Sequence, residues 1–128
     1  MPLAARQACT ALRHHACPGP LSQPFASAED AWLWTMAALI ARREGARHST
    51  NEGRLPRPCE PDDVIKCLDT LYRQRRIDLA HARVLRLWGE RQTPPSSAIA
   101  AERHDYGLWI EALERLAWPL RIKGIVAT

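Results

Sequence analysis

The sequence predicts an all-α fold, a compact four- or five-helix domain over residues 25–126. Apolar residues recur at helical spacing in four separate segments, and residues that start or stop helices frame most of them. The clearest stripe is Val64, Cys67, Leu68, Leu71 and Tyr72. No segment alternates apolar and polar residues with the period of two that is typical of a half-buried strand. The 128 residues, 25% charged and 46% hydrophobic, are enough for one soluble domain with a single core.

Residues 1–24 are predicted to form a flexible N-terminal arm, because four prolines and a glycine interrupt any helical period there. The arm contains four potential metal ligands, Cys9, His14, His15 and Cys17. Structural zinc sites usually join two tight ligand pairs through a longer loop, so we predict no metal site and no cofactor. The arm also lacks the continuous apolar stretch of a signal peptide, and a cytoplasmic location is therefore expected.

The first helix is predicted to begin after Ser27, whose hydroxyl can accept a backbone N–H of the first turn. Two acids, Glu29 and Asp30, suit the positive end of the helix dipole, and Gly45 is predicted to end the helix. Its inward face is Trp32, Met36, Leu39 and Ile40. The following residues, 46–60, are polar and interrupted by proline and glycine, which indicates a loop.

The second helix is predicted to begin at Pro61, because proline is well suited to the first helical turn, and to end in the basic run "RQRR" at 73–76. Asp78 is predicted to cap the third helix and Gly89 to end it. The predicted inward residues of this third helix are Leu79, Val84, Leu87 and Trp88.

A short helix capped by Ser96 or Ser97 is predicted within "SSAIAAER", followed by a long helix capped by Asp105. Pro119 is predicted to end or kink that helix at Trp118. Its inward face is Trp109, Ala112, Leu113, Leu116 and Leu120. The predicted core of the domain is Val64, Leu68, Leu71, Val84, Leu87, Trp88, Trp109, Leu113 and Leu116.

The formal net charge is +4, and sixteen of the eighteen basic residues are arginine. Arginine is the better bidentate ligand for phosphate, although a GC-rich bacterial genome would produce the same bias. The position of the charge is more informative than its total. Between Arg73 and Arg103 lie seven arginines and three acids, a surplus equal to that of the whole chain. Such a concentration is typical of a surface that binds a nucleic-acid backbone.

The order of motifs after this basic run is also informative. The segment "RVLRLW" at 83–88 precedes a turn, then the pair Ile99-Ala100, then an inward Trp109 or Ile110 about ten residues on. In this order residues 83–120 resemble the helix-turn-helix of the sigma factor C-terminal region and of related bacterial regulators. The resemblance implies that the protein is a small DNA-associated regulator that binds duplex DNA.

Two groups of residues are the candidates for binding DNA. Arg75, Arg76, Arg83 and Arg86 lie on or beside the supporting helix, so they are predicted to contact phosphates, which position a protein without reading sequence. The resemblance places Arg103, His104 and Tyr106 at the start of the recognition helix, where side chains contact base edges.

The alternative to DNA binding is a non-enzymatic helical adaptor that binds another protein through an exposed Trp or Leu patch. Trp118, immediately before Pro119, is the tryptophan whose exposure would matter most. No enzyme is predicted, because the sequence has no GxGxxG, GxxxxGK[ST], HExxH or GxSxG motif. No segment is apolar for long enough to predict a membrane span.

Overall fold

Four α-helices and one 3-10 turn make up the regular structure of residues 22–45 and 57–128, the part of the chain that the computed structural model describes. The elements are α1 (Ala28–Arg43), α2 (Pro61–Arg73), α3 (Leu79–Arg91), the 3-10 turn Ala100–Glu102 and α4 (Arg103–Ile122). The predicted all-α fold is confirmed. The predictions for residues 1–21, including the Cys and His cluster, and for most of the loop at 46–60 lie outside the described residues.

Local sequence signals begin the first three helices where they were predicted. The Ser27 hydroxyl accepts the backbone N–H of Asp30 at 3.1 Å, which satisfies one of the free donors of the first turn. Pro61 is the first residue of α2. The Asp78 carboxylate accepts the backbone N–H of Ala80 at 3.0 Å and so caps α3.

The helices pack so that α1 and α4 each contact all three others, whereas α2 and α3 lie on opposite sides of that pair. Helices α3 and α4 run antiparallel. His81, near the start of α3, contacts Glu111, while Trp88, near the end of α3, contacts Asp105 near the start of α4. Residue numbers therefore rise along one helix as they fall along the other.

The C-terminal tail closes the domain by pairing with the residue that precedes α1. Phe25 donates its backbone N–H to the carbonyl of Ile125, and its own carbonyl accepts the N–H of Ala127, both at 2.9 Å. A single β-bridge forms between Phe25 and Val126. Phe25, Ile125 and Val126 are all buried, so the tail contributes to the core.

Three buried tryptophans join the helices through their indole N–H groups. Trp32 donates to the carbonyl of Leu85, Trp88 to the carboxylate of Asp105, and Trp109 to the carboxylate of Glu29, at 2.8–3.0 Å. A buried indole N–H needs an acceptor, and all three acceptors lie on a different helix. Asp105 is thus a cross-helix acceptor inside α4, and the prediction that it caps the helix is wrong.

The predicted inward face of α3 is wrong at two positions. Leu79 and Leu87 are 54% and 41% exposed, whereas Leu85 is fully buried. The inward face of α3 starts at His81 and continues one and two turns later along the helix. Leu79 is two residues before His81, which places it about 200° around the helix at 100° per residue, so its side chain points away from the core. On α2, Leu68 is only partly buried and Tyr72 is exposed. The other predicted core residues, Val64, Leu71, Val84, Trp88, Trp109, Leu113 and Leu116, are buried as predicted.

The prediction that Gly89 ends α3 is also wrong, because the helix continues to Arg91 and Gln92 caps it in a left-handed conformation. Gly89 is buried against α1. A Cβ atom at this position would lie 2.5 Å from Cγ of Met36 and 3.0 Å from Nε1 of Trp32. Glycine is therefore needed here so that α1 and α3 can approach each other closely.

The Gly89→Ala variant should reverse the usual effect of removing a helical glycine. In an open helix this change stabilises by about 0.5–1 kcal/mol. At Gly89 the added methyl group overlaps Met36, so we expect a loss of about 1–3 kcal/mol, as for an overpacked core. The matched control is Gly107→Ala on the exposed face of α4, where nothing lies within 4 Å, and it should be stabilising. Urea unfolding measures both, and a stabilised Gly89→Ala would contradict the close approach.

The start of α4 differs from the prediction. The short helix predicted at "SSAIAAER" is a single 3-10 turn, and α4 follows it directly at Arg103. Ser96 does not cap a helix. Its backbone N–H instead donates to the Glu102 carboxylate at 2.8 Å, and its hydroxyl accepts the N–H of Ala98. These bonds fold the segment back on itself before a longer helix can form.

Pro119 was predicted to end or kink α4 at Trp118, and the first of these alternatives is wrong, since the helix passes through Pro119 and ends at Ile122. Proline has no N–H, so the carbonyl four residues earlier loses its helical donor. The last turn is held from outside the helix. Leu120 is fully buried, and its carbonyl accepts the backbone N–H groups of Ile125 and Val126 in the C-terminal tail.

Candidate nucleic-acid interface

The turn between α2 and α3 exposes two arginines. Arg75 donates its backbone N–H to the carbonyl of Tyr72 at 3.0 Å, and Arg76 donates to the carbonyl of Leu71 at 2.9 Å. This pair of bonds is the Schellman ending of a helix, which requires a left-handed residue just past the cap. Arg75 takes that conformation with φ of 62°, where glycine is the usual residue.

Within the described ranges, Arg75 and Gln92 are the two residues other than glycine with positive φ. The left-handed conformation of Gln92 is stabilised by its side chain, because the side-chain amide donates to the carbonyls of Gly89 and Leu33 at 2.9 and 3.0 Å. The side chain of Arg75 is exposed and forms no hydrogen bond with any of the described residues. A left-handed conformation costs roughly 1–2 kcal/mol for an L-residue. At Arg75 the two backbone bonds of the Schellman ending offset part of this cost.

We define the arginine surface as Arg75, Arg76, Arg83 and Arg86, all of which are exposed. Arg83 and Arg86 lie three residues apart on the outward face of α3. Arg86 is 3.6 Å from the carboxylate of Glu90, which also receives Arg43 at 3.4 Å. In the described part of the chain, no carboxylate lies within 4.0 Å of Arg75, Arg76 or Arg83. Three guanidinium groups are thus free to bind an external anion.

Packing adds an arginine that the sequence reasoning missed. Helices α2 and α4 bring Arg115 next to the turn, where its guanidinium donates to the carbonyl of Arg76 at 3.1 Å. The two residues are 39 positions apart, and no local pattern in the sequence indicates that they meet. Arg115 is exposed and adds positive charge beside the arginine surface.

The residues predicted to read bases lie elsewhere. Arg103 and His104 are exposed at the start of α4, Tyr106 is half-buried, and Arg103 donates to the carbonyl of Ser97 at 3.2 Å. Because α3 and α4 are antiparallel, this group lies beside the end of α3, whereas Arg75 and Arg76 precede its start. The 13 residues of α3 span about 20 Å at 1.5 Å per residue. The structure therefore separates this group from Arg75 and Arg76.

His81 is buried and has a structural role. Its Nδ1 accepts the backbone N–H of Asp78 at 3.1 Å, which leaves the ring proton on Nε2, 2.9 Å from the Glu111 carboxylate. This bond favours the ionised carboxylate and lowers the pKa of Glu111 below its ordinary value. Nδ1 thus helps to cap α3, and Nε2 helps to hold α3 against α4.

The two cysteines in the described residues are protonated thiols near neutral pH. Burial, assisted by the nearby carboxylates of Asp63 and Glu60, raises the pKa of Cys59 to about 12. Burial likewise raises the pKa of Cys67. A thiolate is the nucleophilic and metal-binding form of cysteine, so neither side chain is activated for such chemistry. No group of three potential metal ligands occurs in residues 22–45 and 57–128.

No known protein family, curated protein or solved structure matches this chain. None of the four helices in the described ranges has the length and apolar character needed to cross a membrane. What the arginine surface can do must therefore be derived from its own residues. Exposed guanidinium groups bind phosphate oxygens through paired, charge-assisted hydrogen bonds.

Proposed function

We propose that the protein is a small DNA-associated regulator that binds the phosphate backbone of duplex DNA through the arginine surface. The observation that carries this proposal is Arg75, whose exposed guanidinium has no carboxylate within 4.0 Å among the described residues. Arg76 and Arg83 support it, because no acid in the described chain neutralises either.

The length of the arginine surface favours a polyanion over a single phosphate group. From the first residue of α3 to Arg86 the helix rises about 10 Å, and Arg75 and Arg76 extend the row beyond the helix start. Duplex DNA carries a negative charge for about every 1.7 Å of its axis, so several phosphates lie within the length of the arginine surface. Such contacts supply affinity and register, and they are independent of base sequence.

Base reading by Arg103, His104 and Tyr106 remains a prediction, as does the helix-turn-helix resemblance. The 3-10 turn Ala100–Glu102 leads directly into α4, and no separate turn lies between them as a helix-turn-helix would need. The proposed role of the arginine surface therefore does not depend on a recognition helix. We expect binding that is strongly salt-dependent and similar for duplexes of different sequence.

Fluorescence anisotropy with a random-sequence duplex at several salt concentrations tests this function. The double variant Arg75→Gly, Arg83→Ala should weaken binding and reduce the slope of log K against log salt by about 0.9 for each phosphate that is no longer neutralised. Arg75→Gly places glycine in a left-handed position that it prefers, and Arg83→Ala replaces an exposed helical side chain with a good helix former, so neither change should unfold the protein.

The control is Arg42→Ala, which removes one positive charge, half of the loss in the double variant, from a side chain that is already paired with Asp62 at 3.3 Å. Its effect on the salt slope should be near zero. No binding at low salt and micromolar protein would overturn the proposal. An equal decrease in affinity for Arg42→Ala would also overturn it, because net charge rather than the arginine surface would then be responsible.

A further inference from the structure

The C-terminal half of α4 exposes two large apolar side chains. Trp118 is 62% exposed and Ile122, one turn later, is 67% exposed. No other large apolar side chain in the described residues is as exposed as either. A groove between α2 and α4, lined in part by Leu71 and Pro119, extends the apolar surface on one side. Tryptophan and arginine are both enriched at the energetic centres of protein interfaces.

Two unpaired charges of opposite sign flank Trp118. Glu114 lies one turn before it and Arg121 three residues after it, and both are exposed. Neither forms an ion pair with any residue that the structure describes. At 100° per residue, Glu114 and Arg121 lie on the same side of Trp118, at about 40° and 60° from it. Ile122 lies on the other side.

We propose that this α4 face, comprising Glu114, Trp118, Arg121 and Ile122, binds the same face of a second copy of the chain. A symmetric antiparallel pair of α4 helices has a twofold axis perpendicular to the plane that contains both helices. Residues on one side of the first helix therefore lie next to residues on the same side of the second helix. The midpoint between Glu114 and Arg121 falls next to Trp118, so an axis there sets each Glu114 opposite Arg121 of the second copy. The symmetry forms this ion pair twice and brings the two Trp118 indoles together.

The α4 face carries one acid and one base, Glu114 and Arg121, and a self-complementary face needs both signs. The α4 face shares no residue with the arginine surface, although Arg76 lines the groove beside it. Dimerisation goes beyond the proposed DNA binding, and its test is made without DNA so that the two proposals can fail separately.

Sedimentation equilibrium of the full chain, without DNA and over a wide concentration range, tests the dimer. The apparent mass should rise from 14.5 kDa toward twice that value. Trp118→Ala should raise the dissociation constant at least tenfold, because it removes the centre of the interface while leaving the monomer core untouched. A chain that stays at 14.5 kDa at every concentration, or a dimer indifferent to Trp118→Ala, would overturn the proposal.

Charge reversal tests the antiparallel register. Glu114→Arg and Arg121→Glu should each raise the dissociation constant about tenfold, because each variant sets like charges opposite one another twice. The double variant restores both pairs, so its dissociation constant should return to within about threefold of the original. Glu44→Arg, an exposed reversal at the end of α1, is the control and should have no effect. Failure of the double variant to recover dimerisation would overturn this arrangement. Far-UV circular dichroism verifies that every variant is folded.

Discussion

Trp109→Ala is expected to lower the free energy of unfolding by about 3–5 kcal/mol, the range for removing a buried aromatic side chain. The matched change Trp118→Ala, nine residues further along the same helix, should alter it by no more than about 0.5 kcal/mol. The difference arises from burial, because Trp109 is fully buried and its indole reaches α1, whereas Trp118 is 62% exposed. A loss of 3–5 kcal/mol is a large part of the total stability of an ordinary domain.

The loss at Trp109 has two components that a second substitution separates. The indole N–H donates to the Glu29 carboxylate at 2.8 Å, which joins α4 to the first turn of α1. Trp109→Phe keeps most of the buried ring area but leaves that carboxylate without its donor. We expect an intermediate loss of about 1.5–3 kcal/mol, typical of a hydrogen bond to a charged group.

Urea unfolding at submicromolar protein measures these free energies for the monomer. The slope against urea should be unchanged in Trp109→Phe, which shows that the same surface unfolds. Equal losses for Trp109→Ala and Trp118→Ala would contradict the orientation of α4 in the bundle.

Leu85→Ala is expected to cost about 2–5 kcal/mol, because Leu85 is fully buried between α1 and α4 and alanine leaves a cavity there. Leu87→Ala removes the same atoms two residues later. It should cost less than about 1 kcal/mol, since Leu87 already exposes 41% of its surface. The periodicity of the sequence alone predicted the opposite order for this pair.

Thermal and urea unfolding of the two variants, made in the same background, gives the comparison directly. The hydrogen bond from Trp32 to the backbone carbonyl of Leu85 survives in Leu85→Ala, so the difference reports side-chain packing. A larger loss for Leu87→Ala would mean that α3 is rotated from the orientation described above.

Local chemistry in the sequence was sufficient to predict where three of the four helices begin. Ser27, Pro61 and Asp78 act on backbone groups within three residues of themselves, so their effect can be read without knowing the fold. The inward face of α4 was also predicted correctly, because its apolar residues recur over three turns and fit only one rotation of the helix about its axis. The concentration of arginines at 73–103 is likewise a property of the sequence alone.

The rotation of α3 and the ends of α3 and α4 depended on tertiary contacts. Leucines occur at three positions around α3, and only packing against α1 and α4 selects Leu85 for the core. Gly89 and Pro119 are local helix breakers, yet both lie inside helices. Close approach of α1 explains the glycine, and bonds from the C-terminal tail hold the turn after the proline.

The candidate site shows the same division. That Arg75, Arg76, Arg83 and Arg86 are basic and near one helix follows from the sequence. That Arg75 is left-handed and unanchored, that Arg115 meets the carbonyl of Arg76, and that Trp118 is exposed follows only from the tertiary structure. The physical reason is the distance along the chain over which each interaction acts. Capping and periodicity act over a few neighbouring residues, whereas exposure and charge pairing depend on residues that the fold brings together from distant positions in the chain.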